Sequence, residues 1–144
     1  MANQFNDETT AEEAAGNIDL SGKTIVLTGG SAGLGVETAR VLAQRGARVV
    51  SVVRDRAKGE AAAQRIRESV PNADIDFAEL DLFDLDSVRK GADDIAARFP
   101  KIDRLVNNAG VMMCPLGRTK EGLDTQLGTN HLGHFVLTAR LIDN

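Results

Sequence analysis

The chain has 144 residues, 42% hydrophobic and 26% charged, which is the balance of one soluble globular domain and leaves no room for a second core. Lys and Arg number 17 against 21 Asp and Glu, for a net charge of −4, and no basic, aromatic-interleaved patch marks a nucleic-acid partner. Five Phe make up all the aromatics; with no Tyr there is no phenol for acid/base chemistry. No apolar stretch is long enough for a membrane span, and the N-terminus lacks the basic-then-apolar order of a signal peptide. Lone Cys114 and two His make neither a disulfide nor a zinc cluster, so a reducing, cytoplasmic setting is expected.

Residues 1–19 read as a flexible tail, because Asp7, Glu8, Glu12 and Glu13 come with no positive charge and too few apolar residues to offset ordering. Residues 20–144 read as one domain of βαβ units and a parallel sheet, with β-branched runs separated by segments of helical period. A first strand at Thr24 to Leu27 runs into a Gly-rich turn and a helix carrying Val36, Ala39, Leu42 and Ala43, ended by Gly46. A second strand, Arg48 to Val53, is apolar enough to be covered on both faces, and Asp55 caps a helix running to about Ser69. Residues 74–80 form a polar, edge-type strand. Asp84 then caps an amphipathic helix through Leu85, Val88, Ala92, Ile95 and Phe99, closed by Pro100. A fourth strand begins at Arg104, and a last helix is expected from about Glu121 to Ile142, with two apolar stripes that call for a partner.

The turn after the first strand reads Thr28-Gly29-Gly30-Ser31-Ala32-Gly33-Leu34-Gly35. Glycines there let backbone approach a pyrophosphate, and the helix start points free N–H groups at the anion. The spacing departs from the G-x-G-x-x-G fingerprint, and no Gly-Lys-Ser/Thr follows, which excludes a P-loop. Arg54 ends the second strand, where a guanidinium can fork onto a 2′-phosphate and favour NADP(H) over NAD(H). The competing reading has Asp55 bind the ribose, although Asp55 is already occupied as a helix cap.

Thr28 to Gly35, Asp81-Leu82, Asn107-Asn108-Ala109-Gly110 and Asn130, in that order, resemble the short-chain dehydrogenase/reductase family. Residues 54–60, 107–115 and 127–135 are similar to its retinol-dehydrogenase-like branch, which includes WW-domain oxidoreductases. The resemblance implies an α/β, Rossmann-type doubly wound parallel sheet, incomplete, with strand order 3-2-1-4 and the later strands absent. It places Gly29, Ser31, Gly33, Leu34 and Gly35 against pyrophosphate and ribose, Arg54 on the 2′-phosphate, and Asp81 and Leu82 against adenine. Asn108, Ala109 and Gly110 would pass under the cofactor. Asn130 matches the catalytic Asn that bends its helix and holds a relay water; the competing reading is an amide bonded only to backbone. His131 and His134 lack a third ligand, so no metal is expected, and Cys114 has no nearby base to make it a nucleophile.

By the same resemblance, the family's Ser and Tyr-x-x-x-Lys would fall beyond Asn144. The resemblance therefore implies an NADP(H)-dependent oxidoreductase moving hydride between nicotinamide and an alcohol or carbonyl substrate. This chain would supply the cofactor half and be inactive by itself. The expected origin is a truncation or a fragment of a longer enzyme, with an unprotected fourth strand and a half-covered last helix through which a homo-oligomer could form. The alternatives are a non-catalytic nucleotide-binding or dimerising module, and another Rossmann-like binder such as a methyltransferase.

Overall fold

A computed structural model describes residues 5–144, and its strands and helices alternate along the chain. The strands are β1 (Thr24–Thr28), β2 (Arg48–Val53), β3 (Ile75–Glu79) and β4 (Arg104–Val106). They form one parallel sheet in the order β3-β2-β1-β4, with Val26 beside Val50, Ser51 beside Phe77 and Ile25 beside Arg104. The expected strand order is therefore the observed one, and β3 lies at an edge.

Side chains alternate across the pleat, so each strand feeds two cores. Ile25, Leu27, Val49, Val53, Ile75 and Phe77 pack beneath α2 (Gly33–Gln44) and α3 (Arg56–Ser69). Val26, Val50, Val52 and Ala78 pack on the opposite face against α4 (Leu85–Arg98) and α5 (His134–Leu141), where Ile95 and Leu137 are fully buried. Helices on both faces explain why β2, after the exposed Arg48 at its start, carries no polar residue but Ser51. Asp55 and Asp84 cap α3 and α4 through the Lys58 and Ser87 amides, so both helix starts fall where the sequence places them.

Two expectations need correction. Residues 1–4 lie outside the description, but the rest of the expected loose tail contains α1 (Ala11–Ala15). None of its residues is buried, so burial does not hold it. Instead Thr10 and Glu13 cap each other, and the Glu12 carboxylate accepts from Arg40 of α2 at 2.7 Å. The last helix starts at Thr125 rather than near Glu121. Residues before it are spent on a turn in which Gly122 takes φ +80, and Asp124 Oδ1 accepts from the Gln126 and Leu127 amides as the cap. Its first part, Leu127–Gly133, is a π-helical turn that leads into α5.

Of the two expected stripes, Leu123, Leu127, Leu137 and Leu141 and then Leu132, Phe135, Val136 and Ala139, only Leu137 and Leu141 of the first are buried, whereas Leu127 and Phe135, with Ile142 beyond them, are 51%, 64% and 74% exposed. Among the described residues no helix is long and apolar enough to cross a membrane.

Candidate functional site

An open cleft of about 490 Å³ lies over the C-terminal ends of the strands, the position at which open parallel sheets bind ligands. Gly29, Ser31, Leu34, Gly35, Arg54, Asp81, Leu82, Asn108, Ala109 and Gly110 all line it. Gly33 and Asn130 do not. Gly33, with φ +55, turns the chain into α2, and the neighbouring Ala32 faces the cleft in its place.

The floor is built by pressing the Gly-rich turn against the exit of β4. Gly29 has φ +74, and a Cβ there would stand 3.0 Å from Ala109 Cα. A Cβ at Gly35 would run into the Gly29 carbonyl oxygen and stand 2.8 Å from Asn108 Nδ2. Only hydrogen fits at these points, which leaves a shallow cradle lined by backbone. Ala32, the cap residue of α2, offers no side-chain oxygen, so the first amides of that helix keep no side-chain partner. Such a helix start accepts an anion.

Thr28, the last residue of β1, fastens the segment after β4. Its Oγ1 accepts from the Asn108 and Ala109 amides at 2.9 and 3.0 Å, and its carbonyl accepts from Asn108 Nδ2 at 3.0 Å. Asn107 Nδ2 donates to Thr138 Oγ1 of α5, so the same segment is held from the other side. Asp81 Oδ1 accepts from the Phe83 amide, and Leu82 is backed by the π-helical turn, where a Cβ on Gly133 would stand 2.8 Å from the Leu82 carbonyl oxygen.

Arg54 stands exposed on the rim at the end of β2. Its neighbours are engaged, Asp55 as the α3 cap and Arg56 with Glu60, whereas Arg54 enters no ion pair among the described residues. A guanidinium with no ion-pair partner among the described residues, beside a backbone cradle and an uncapped helix start, fits the phosphates of a dinucleotide.

The amide of Asn130 is bonded to backbone alone: Oδ1 accepts from the Val111 N–H at 2.8 Å and Nδ2 donates to the Val111 carbonyl at 2.7 Å. Its residue surface is nonetheless exposed. His131 is exposed while His134 is buried, and Cys114 is half-buried in the loop beyond Val111. Lys120 pins the loop before the last helix to Asp84 at 2.8 Å and holds that carboxyl below its ordinary value, with the Ser87 and Asp86 amides adding to the effect. Glu121 accepts from the Leu85 amide and is likewise held low.

The sequence did not single out Val52, Val53, Leu80, Val111 or Thr129, all of which line the cleft. The strand-end residues among them were findable, because ligands sit at the carboxyl ends of parallel strands. Thr129 carries no local signal, since only the packing of the π-helical turn on Leu82 brings it there.

A family model described as short chain dehydrogenase matches residues 23–144. Human retinol dehydrogenase 12 is 49% identical over 127 residues, covering 88% of this chain and 40% of that protein. The Brassica napus short-chain dehydrogenase TIC 32 B, chloroplastic, is 40% identical, covering 96% and 43%. Among solved structures, an uncharacterised protein from Mycobacterium paratuberculosis superposes with a TM-score of 0.79 at 46% identity, covering 90% of this chain and 45% of that one. The Pseudomonas aeruginosa RhlG/NADP active-site complex superposes at 0.74 with 26% identity, covering 88% and 49%. The chain thus spans about 40% of the length of the curated relatives it matches. It belongs to the short-chain dehydrogenase/reductase family and sits within the retinol-dehydrogenase-like branch.

Proposed function

We propose that this chain forms the dinucleotide half of an NADP(H)-dependent oxidoreductase that interconverts an alcohol and a carbonyl compound. The observation that carries the reading is Arg54, without an ion pair among the described residues, at the rim of a cleft whose floor is a glycine cradle and whose wall is an uncapped helix start. When bound, the dinucleotide supplies a hydride donor or acceptor at its nicotinamide ring.

The chain's own residues bind and orient. The α2 amides and the Gly29 to Gly35 turn meet the pyrophosphate, Arg54 takes the 2′-phosphate, and Asp81 with Leu82 frames the adenine. Asn108, Ala109 and Gly110 support the central ribose from below. Asn130 acts through Val111 in the same wall of the cleft. An alcohol or carbonyl substrate is supported by the similarity to retinol dehydrogenase 12. A cytoplasmic setting belongs to the same reading. So does self-association through Leu127, Phe135 and Ile142 or the open side of β4, which sedimentation velocity would register as a dimer.

The 144 residues contain no Tyr, so by themselves they are expected to hold NADPH without turning over an alcohol or aldehyde. Titration with NADPH and NADH, followed by cofactor fluorescence, tests both statements. Saturable binding that favours NADPH supports the reading. Absence of binding to either dinucleotide overturns it, and turnover of retinal or a small aldehyde overturns the expected inactivity.

A further inference from the structure

We propose that His134 is a positioning residue of the dinucleotide site: its imidazole, held as the neutral Nδ1–H tautomer, locks the last residue of β1 to the π-helical turn that carries Asn130. The inference rests on the cofactor reading above.

His134 is 6% exposed and its two ring nitrogens face different elements. Nδ1 lies 2.8 Å from the Asn130 carbonyl oxygen, and Nε2 lies 2.9 Å from Thr28 Oγ1. A carbonyl oxygen only accepts, so Nδ1 carries a hydrogen. The Thr28 hydroxyl has two lone pairs and one hydrogen, and the lone pairs already accept from the Asn108 and Ala109 amides. Its hydrogen must therefore leave toward Nε2, the alternative being the Val106 carbonyl oxygen at 3.4 Å, at the weak end of the range. Nε2 then uses its lone pair, and each polar atom of ring and hydroxyl is satisfied once. The opposite tautomer would set lone pair against lone pair at Asn130 and hydrogen against hydrogen at Thr28. So little exposed a ring has almost no water to relieve either conflict.

The two partners of this imidazole govern two walls of the cleft. Thr28 fixes Asn108 and Ala109, the floor over which the dinucleotide would pass. Asn130 clasps Val111, the next lining residue. One ring thus sets the separation between the β1–β4 floor and the π-helical turn, and both must hold still for the cofactor to bind without an ordering cost.

Three variants and one spectrum test this in the full chain. A histidine ¹⁵N–¹H long-range spectrum of the wild type should show His134 neutral, with hydrogen on Nδ1 and a bare Nε2; hydrogen on Nε2 alone overturns the inference without any cofactor present. His134→Phe keeps the ring volume but removes both hydrogen bonds, so the melting temperature should fall by about 4–8 °C, leaving the protein folded at about 25 °C, while NADPH affinity falls about tenfold. His134→Gln can place its carbonyl oxygen near the Nε2 position, keep the Thr28 bond, and stay within about threefold of wild type. His134→Asn matches Nδ1 alone and should lose most of the affinity. Affinity that follows this hydrogen-bond order supports positioning. Affinity unchanged in His134→Phe, or falling only in step with melting temperature across all three, overturns it. Should the wild type bind neither dinucleotide, the cofactor reading fails and takes the positioning role with it, an outcome distinct from the variant results.

Discussion

Asn130 holds Val111 by both of its backbone polar groups, accepting from the N–H at 2.8 Å and donating to the carbonyl at 2.7 Å. A side-chain amide here plays the part of a neighbouring strand, giving an irregular segment a partner where the sheet has ended. Asn130→Ala removes both bonds and should cost about 1–2 kcal/mol in urea denaturation, with weaker NADPH binding. Asn130→Asp is no rescue, because a carboxylate would face the Val111 carbonyl; recovery of wild-type stability in that variant would refute the clasp.

Arg54→Ala should separate the two dinucleotides. A charge-assisted contact to a 2′-phosphate carries about 1.5–3 kcal/mol, so NADPH affinity should drop about 10- to 100-fold. NADH affinity should change less than about twofold, since no phosphate is present to lose its partner. Equal losses for both, in side-by-side titrations, would show that Arg54 only shapes the rim.

The glycines of the turn should differ in cost for physical reasons that calorimetry can tell apart. Gly35→Ala drives a methyl into the Gly29 carbonyl, an overpacking expected to cost about 1–3 kcal/mol and to block the cradle. Gly33→Ala meets open space, and its penalty is the left-handed backbone alone, about 1–2 kcal/mol. The discriminating measurement is dinucleotide binding by the folded variants, which should vanish in Gly35→Ala and survive in Gly33→Ala.

Acid should loosen two fastenings. Lys23, then the Thr24 amide, hold the Asp103 carboxyl below its ordinary value of 3.8, tying the entry of β1 to that of β4. Lys120 does the same to Asp84. With folded values depressed, the stabilisation is whole above the unfolded pKa and disappears as pH falls through the folded one. The melting temperature should hold steady from about pH 7 to about pH 5 and decline below about pH 4. Asp103→Asn should flatten that decline; an unchanged acid limb in the variant would count against this assignment.

Much of this was legible in the chain because β-branched runs and caps are local signals. Asp55 and Asp84 mark helix starts with a side chain two or three residues from the amides they cap, and Arg48 to Val53 is apolar because helices cover both of its faces. The Gly29 to Gly35 turn and Arg54 were readable from their place at strand ends. What escaped depends on contacts that sequence spacing does not carry. A burial argument cannot see the Thr10–Glu13 capping box that orders α1. Gly122 delayed the last helix although Asp124, a cap like the other two, stood in plain view. Thr129 and Val111 entered the cleft only through packing on Leu82 and Asn130.

The π-helical turn has a consequence for the phase of everything after it. Thr129, Gly133, Leu137 and Leu141 recur in steps of four, and in a straight α-helix each such step overshoots one revolution by about 40°. Buried positions so spaced would drift off any single face. A turn with more residues per revolution rotates less at each one and winds the drift back, so Thr129, Leu137 and Leu141 all face the protein. Leu127–Gly133 therefore works as a phase corrector. Removing one residue from it would let the stretch close as an ordinary α-helix, so Leu137 and Leu141 would keep their bearing while Thr129, which lies within the turn, would lose its place.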